Sequence, residues 1–110
     1  MLHCCRAIRL IIPDLIEIGI DVLTPIQVRA KGMNPVELGR DFGDVSMALW
    51  TFKKTLPLGT VEDVRAEVRD RVQTLGKRGG FALGSTHNIQ TDTPLVNILA
   101  VYDEARKSKP

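Results

Sequence analysis

The chain has 110 residues, of which 44% are hydrophobic and 25% are charged, a composition typical of one small globular domain. Its net charge of +2 and its aromatic fraction of 5% are too low to indicate a nucleic-acid surface. The longest apolar stretch, 10–18, is interrupted by Pro13, Asp14 and Glu17, so no membrane span is expected. Two adjacent cysteines make a poor disulfide framework, which favours a reducing compartment. We therefore expect a cytoplasmic protein that binds neither nucleic acid nor a membrane.

The first quarter of the chain predicts a strand, a helix and a second strand. Residues 2–5 are apolar or thiol-bearing and are typical of the end of a strand. The isoleucines and leucines of 8–18 fit one broad helical face, and Gly19 supplies a helix stop. Residues 21–27 then form a short apolar segment that suits a buried strand.

The second helix has a clear start signal. Asn34 is a candidate N-cap, Pro35 occupies the first helical position, and Glu37 completes a pattern that resembles a capping box. We expect this helix to close at Gly43 and a third strand to cover 45–50.

The third helix has the strongest periodicity in the chain. Thr60 is the predicted N-cap, Asp63 stands at the third helical position, and Gly76 ends the helix. The apolar residues that recur every three or four positions are Val61, Val64, Val68, Val72 and Leu75.

A fourth strand is predicted at 81–83, and Thr93 with Pro94 opens a last helix. The periodicity of that helix predicts that its large apolar residues point inward. These residues are Leu95, Ile98, Leu99 and Tyr102.

Four strands that alternate with four helices predict an α/β fold in which the strands are parallel. An open sheet and part of a closed barrel both satisfy this pattern. No glycine-rich phosphate loop follows a strand, and the chain begins within a strand, which favours the barrel.

Three segments of the sequence resemble the uroporphyrinogen decarboxylase superfamily. They are HCCRAIRLIIPDLIEIGIDVLTPIQ, KTLPLGTVEDVRAEVRDRVQTLG and GGFALGSTHNIQTDTPLVNILAVYDEAR. They follow the order and spacing of that family and cover nearly the whole chain. The resemblance implies that residues 1–110 are one domain, the C-terminal half of a (β/α)8 TIM barrel, built as four parallel strand–helix units. It places His3 and Cys5 at the end of one barrel strand and His87 at the end of the last, where active sites of such barrels lie.

Within the superfamily, the branch that transfers methyl groups from a methyl-corrinoid to a thiol uses zinc. His3 and Cys5 are two residues apart, so both project from one face of a strand. The resemblance implies that these two residues and His87 hold the zinc ion, since histidine can replace cysteine as a ligand. Such a zinc would present the substrate as a thiolate.

The decarboxylase branch uses no metal and binds a carboxylated tetrapyrrole. There the resemblance implies that His87 is the catalytic and substrate-binding residue. Arg6 is a further candidate for binding the substrate carboxylates, because it carries a positive charge. The two branches stay open as alternatives.

One segment departs from the family. A turn that should contain two glycines and an aspartate is replaced here by MALWTFKK, 47–54. Arg6 also stands where the family often has glycine. We therefore expect the chain alone to be inactive, and the competing interpretation is a non-catalytic remnant or an assembly partner. It would associate either with itself, as a homo-oligomer, or with a complementary N-terminal half-barrel.

Overall fold

The computed structural model describes residues 1–4, 6–42, 46–51, 54–85 and 88–109, and within 46–51 it describes the backbone alone. The strands are β1 (Leu2–His3), β2 (Val22–Thr24), β3 (Ser46–Thr51) and β4 (Phe81–Ser85). The helices are α1 (Ile12–Glu17), α2 (Pro35–Phe42), α3 (Thr55–Leu58), α4 (Val61–Leu75) and α5 (Leu95–Lys107), and a 3-10 turn spans Arg9–Ile11.

The strands form one parallel sheet in the order β1-β2-β3-β4. Only β3 and β4 pair over a substantial length, from Met47 opposite Phe81 to Thr51 opposite Ser85. The pairings of β1 with β2 and of β2 with β3 extend over two residue pairs each. The sheet therefore consists of one long strand pair, β3 with β4, and two short strands, β1 and β2, on the β3 side of that pair.

The apolar core lies against one face of this sheet. One cluster joins Leu23 of β2 to Ile12 of α1 and Leu38 of α2, and a second joins α3, α4 and α5. Phe81 of β4 packs against both clusters. His3, which by the alternation of a strand points the other way, is exposed.

Pro13 determines how the first helical segment folds. Proline has no N–H to donate within a helix, but it is tolerated in the first turn. The α-helix accordingly begins at Ile12, with Pro13 in its first turn, and the preceding residues form the 3-10 turn. Gly19 ends the segment with a positive φ of 88°, as the sequence predicts.

Two helix starts follow the sequence prediction closely. The Asn34 side chain accepts hydrogen bonds from the backbone N–H groups of Val36 (2.9 Å) and Glu37 (3.3 Å). Thr60 and Asp63 form a reciprocal capping box at the start of α4. These caps satisfy N–H groups that have no partner within the helix.

Helix α5 packs on α3 and α4 through polar contacts that are partly or fully buried. Glu104, 8% exposed, accepts hydrogen bonds from Arg65 (2.9 Å) and Arg69 (3.2 Å) of α4. Asn97, 2% exposed, donates to the carbonyl oxygens of Leu56 and Gly59, each at 2.9 Å. Between them Ala100 is buried against the valines of α4. The face that α5 turns inward is thus partly polar.

The prediction of four parallel strand–helix units forming half of a TIM barrel is wrong. Within the described residues the chain forms five α-helices, and two of its strands have only two and three residues. The strand β3 is followed by two helices, because α3 ends after one turn at Gly59, whose backbone is extended, and Thr60 then starts α4. The strands and helices of the described residues therefore do not alternate as four equal strand–helix units.

The orientation predicted for the last helix is also wrong. Leu95, Leu99 and Tyr102 are 67%, 58% and 61% exposed instead of pointing inward. The predicted end of α2 at Gly43 lies outside the described residues. None of the helices described has the length and hydropathy needed to cross a bilayer.

Replacing Asn97 tests the docking of α5. We expect Asn97→Ala to lower the free energy of unfolding by about 2–3 kcal/mol, because the carbonyls of Leu56 and Gly59 lose their shared donor in a buried position. Urea denaturation measures the change. The control is Gln73→Ala at an exposed position of α4, expected to stay within about 0.5 kcal/mol of the unmodified chain. Equal stability of the two variants would contradict the docking role.

The contact between Glu104 and α4 predicts a pH dependence of stability. Hydrogen bonds from Arg65 and then Arg69 hold the pKa of Glu104 below its ordinary value of 4.5. A pKa that is lower in the folded state contributes stability above the unfolded-state value, and this stability is lost as the pH falls through the folded-state value. We expect the free energy of unfolding to decrease when the solution is acidified below that ordinary value, and Glu104→Gln to make the decrease smaller.

Urea denaturation over a series of pH values measures this difference. Some acid sensitivity should remain in Glu104→Gln, since hydrogen bonds also lower the pKa values of Asp63 and Asp103. Glu17→Gln, at the exposed end of α1, is the matched control and should keep the original pH profile. Identical profiles for the two variants would rule out the Glu104 contribution.

Candidate functional site

The carboxyl ends of the four strands lie at one edge of the sheet, because all four strands run in the same direction. In parallel α/β sheets, ligands bind outside this edge. The residues that end the strands are His3, Thr24, Thr51 and Ser85. This edge is the candidate functional site, and its β1–β2 side carries the predicted residues that the structure describes.

His3 and Thr24 are register partners at this edge. The backbone N–H of Cys4 donates to the carbonyl oxygen of Thr24 at 2.8 Å and extends the pairing by one bond. His3 is exposed, whereas Thr24 is only 4% exposed. The Thr24 hydroxyl is buried and has no hydrogen-bond partner within the part of the chain that is described. A buried hydroxyl without a partner costs free energy, so this position is a polar feature that core packing does not explain.

The structure locates two of the four predicted site residues. His3 is exposed at the end of β1, and Arg6 is exposed in the bend that follows. Cys5 and His87 lie outside the described residues. Among the residues that are described, no three His, Cys, Asp or Glu side chains are grouped so that they could hold a metal ion. The zinc site and the catalytic role of His87 therefore stay predictions.

The neighbouring cysteine, Cys4, has a packing role. Its side chain is partly buried against the first core cluster, on the face opposite to His3. A thiol packed among apolar side chains behaves as a small hydrophobic residue.

A second feature of this edge was not predicted from the sequence. A groove of about 80 Å³ lies between the end of β4 and helix α5. Its walls include Leu83 of β4, Ile98 and Tyr102 of α5, and Ile89 of the connecting segment. The groove is mainly apolar, and it is continuous with the exposed side of α5 through Tyr102.

One signal in the sequence could have indicated this groove. Asn97 and Glu104 are seven residues apart, so they lie on the same face of α5. Arg65 and Arg69, four residues apart, share one face of α4. Pairing these two faces would have turned the large apolar residues of α5 toward the outside. The hydrophobic periodicity of α5 alone predicts that these large apolar residues point inward.

Comparison of the chain with protein-family models, with curated proteins and with solved structures gives no match in any of the three. The resemblance described above therefore depends on the three quoted sequence segments alone.

Proposed function

We propose that this chain binds zinc through His3, Cys5 and His87 at the carboxyl edge of its sheet and holds a thiol there, as in the corrinoid methyltransferase branch that its sequence resembles. The observation that supports the proposal is the position of His3. It ends a parallel strand, it is exposed, and its face of the sheet is opposite to the core. A ligand at this edge can thus reach the imidazole without any change in the packing of the core.

The donor set fits the chemistry of zinc. Imidazole and thiolate are its usual protein ligands, and a site with three protein ligands keeps one position open. Bound zinc would lower the pKa of a thiol substrate. The chain contributes the orientation of His3, which its pairing with Thr24 fixes at the strand end.

A decarboxylase-like function is the alternative within the same superfamily. The exposed position of Arg6 beside β1 supports it, because a guanidinium there is free to approach the carboxylates of a tetrapyrrole. In that function the chain holds no metal. The zinc content of the protein therefore separates the two.

A non-catalytic role as an assembly subunit is the second candidate function. The observation that favours it is the exposed apolar side of α5, on which Leu95, Leu99 and Tyr102 are each more than half exposed. Large apolar surfaces of this kind mark sites of protein association.

Zinc stoichiometry tests the proposed site. We expect purified chain, reconstituted with zinc and desalted, to retain about one zinc ion per chain, measured by elemental mass spectrometry. Cys5→Ala should lose it. Cys4→Ala is the matched control, because that neighbouring thiol packs in the core, and it should keep the metal. Metal-free protein after reconstitution would reject the zinc site and leave the decarboxylase-like function.

Turnover by the isolated chain is expected to be absent. The segment 47–54 stands in place of the turn that carries two glycines and an aspartate in the family that the sequence resembles, and catalytic groups that act as a unit lose nearly all of their effect when members are missing. We expect no product from uroporphyrinogen, nor from methylcobalamin with a thiol, above the level given by heat-denatured chain. Product formation that depends on the folded chain would show that it is a complete catalyst.

A further inference from the structure

The side chains of His3 and Thr24 are neighbours on one face of the sheet. Leu2 and Leu23 are register partners, and both pack in or against the first core cluster. Because side chains alternate along a strand, the next pair, His3 with Thr24, faces away from that cluster. Neighbouring strands are roughly 4.8 Å apart, so an imidazole on β1 can reach a hydroxyl at the same register position of β2.

The two side chains differ in exposure because their strands differ in position. The strand β1 is at one end of the strand order, whereas β2 lies between β1 and β3. His3 is accordingly exposed, and Thr24 is buried. A ligand that arrives from solvent can therefore reach the imidazole directly. The Thr24 hydroxyl can be reached only by a protein group that already lies beside it.

The Thr24 hydroxyl has no hydrogen-bond partner in the part of the chain that the structure describes. The strand pairing does not use it, because the contact of Thr24 with Cys4 is made by the backbone carbonyl. Burying a hydroxyl without a hydrogen bond costs free energy, and valine would fill the same shape without that cost. Such a group points to a partner that turns toward it in another state of the molecule.

The chemistry of a metal-bound imidazole supplies this partner. A histidine that holds a metal ion through one ring nitrogen donates the proton on its other nitrogen to an oxygen acceptor, which fixes the tautomer and the orientation of the ring. In His3 the nitrogen nearer the backbone, and so nearer the next strand, is Nδ1. Exposed side chains change rotamer rapidly, so the ring can turn Nδ1 toward Thr24 without moving the core.

We infer that Thr24 is a positioning residue of the zinc site. Its hydroxyl accepts a hydrogen bond from the Nδ1–H of His3 and so directs Nε2 of that imidazole toward the metal. This inference rests on the proposed function and adds to it a residue that does not touch the metal. The hydroxyl reduces the orientational freedom that the imidazole loses on binding, so it strengthens zinc binding and not the fold of the metal-free chain.

Competition for zinc with a chromophoric chelator measures the affinity of the full chain and its variants. Thr24→Val keeps the shape of the side chain and removes the acceptor, so we expect the dissociation constant for zinc to rise about 10-fold or more. Thr24→Ser keeps the hydroxyl and should bind as the unmodified chain does. The matched control is Thr74→Val, which removes a hydroxyl that donates to the Asp70 carbonyl in α4 and should leave zinc binding unchanged.

Urea denaturation of the metal-free variants separates positioning from a structural role. Removing a buried hydroxyl that has no partner also removes the cost of desolvating it. The denaturation midpoint of Thr24→Val should therefore equal or exceed that of the unmodified chain. A hydroxyl needed for the packing of β2 would instead lower the midpoint and the zinc affinity together.

Four results would overturn the inference, and they differ in what else they reject. If the unmodified chain retains zinc and Thr24→Val binds it equally well, the positioning role is rejected and the zinc site stands. The same follows if Thr24→Ser binds zinc as weakly as Thr24→Val. A lower midpoint for metal-free Thr24→Val makes the hydroxyl structural. If the unmodified chain retains no zinc after reconstitution, the proposed function fails and the positioning role fails with it.

Discussion

The polar contacts that α5 makes with α3 and α4 are the constraint on which the rest of the structure depends. The Glu104 carboxylate accepts from two arginines of α4, and Asn97 donates to the carbonyls at the end of α3. Removing one member of such a group leaves a buried charge or carbonyl without its partner. These contacts therefore matter less as a source of net stability than as a restriction on how α5 can lie.

The residue between the two polar contacts shows how this restriction is met. Ala100 lies between Asn97 and Glu104 and is 2% exposed against the valines of α4. Its small side chain lets α5 approach α4 closely enough for the 2.9 Å hydrogen bond from Arg65 to Glu104. The second core cluster thus forms between α4 and the small residues of α5, and the large residues of α5 are left outside.

The sequence predicts those parts of the fold that local interactions determine. The cap at Asn34, the capping box of Thr60 with Asp63 and the stop at Gly19 are all formed by residues within a few positions of one another, and each is confirmed. The division of 8–18 into a 3-10 turn and a short helix also has a local cause in Pro13, but periodicity alone suggests one continuous face.

The parts that the sequence does not predict depend on distant contacts. The orientation of α5 is set by pairs of residues 35 to 41 positions apart, and apolar periodicity contains no information about such pairs. Of the candidate site, the sequence correctly places His3 at a strand end, whereas the groove beside β4 depends on how α5 is oriented.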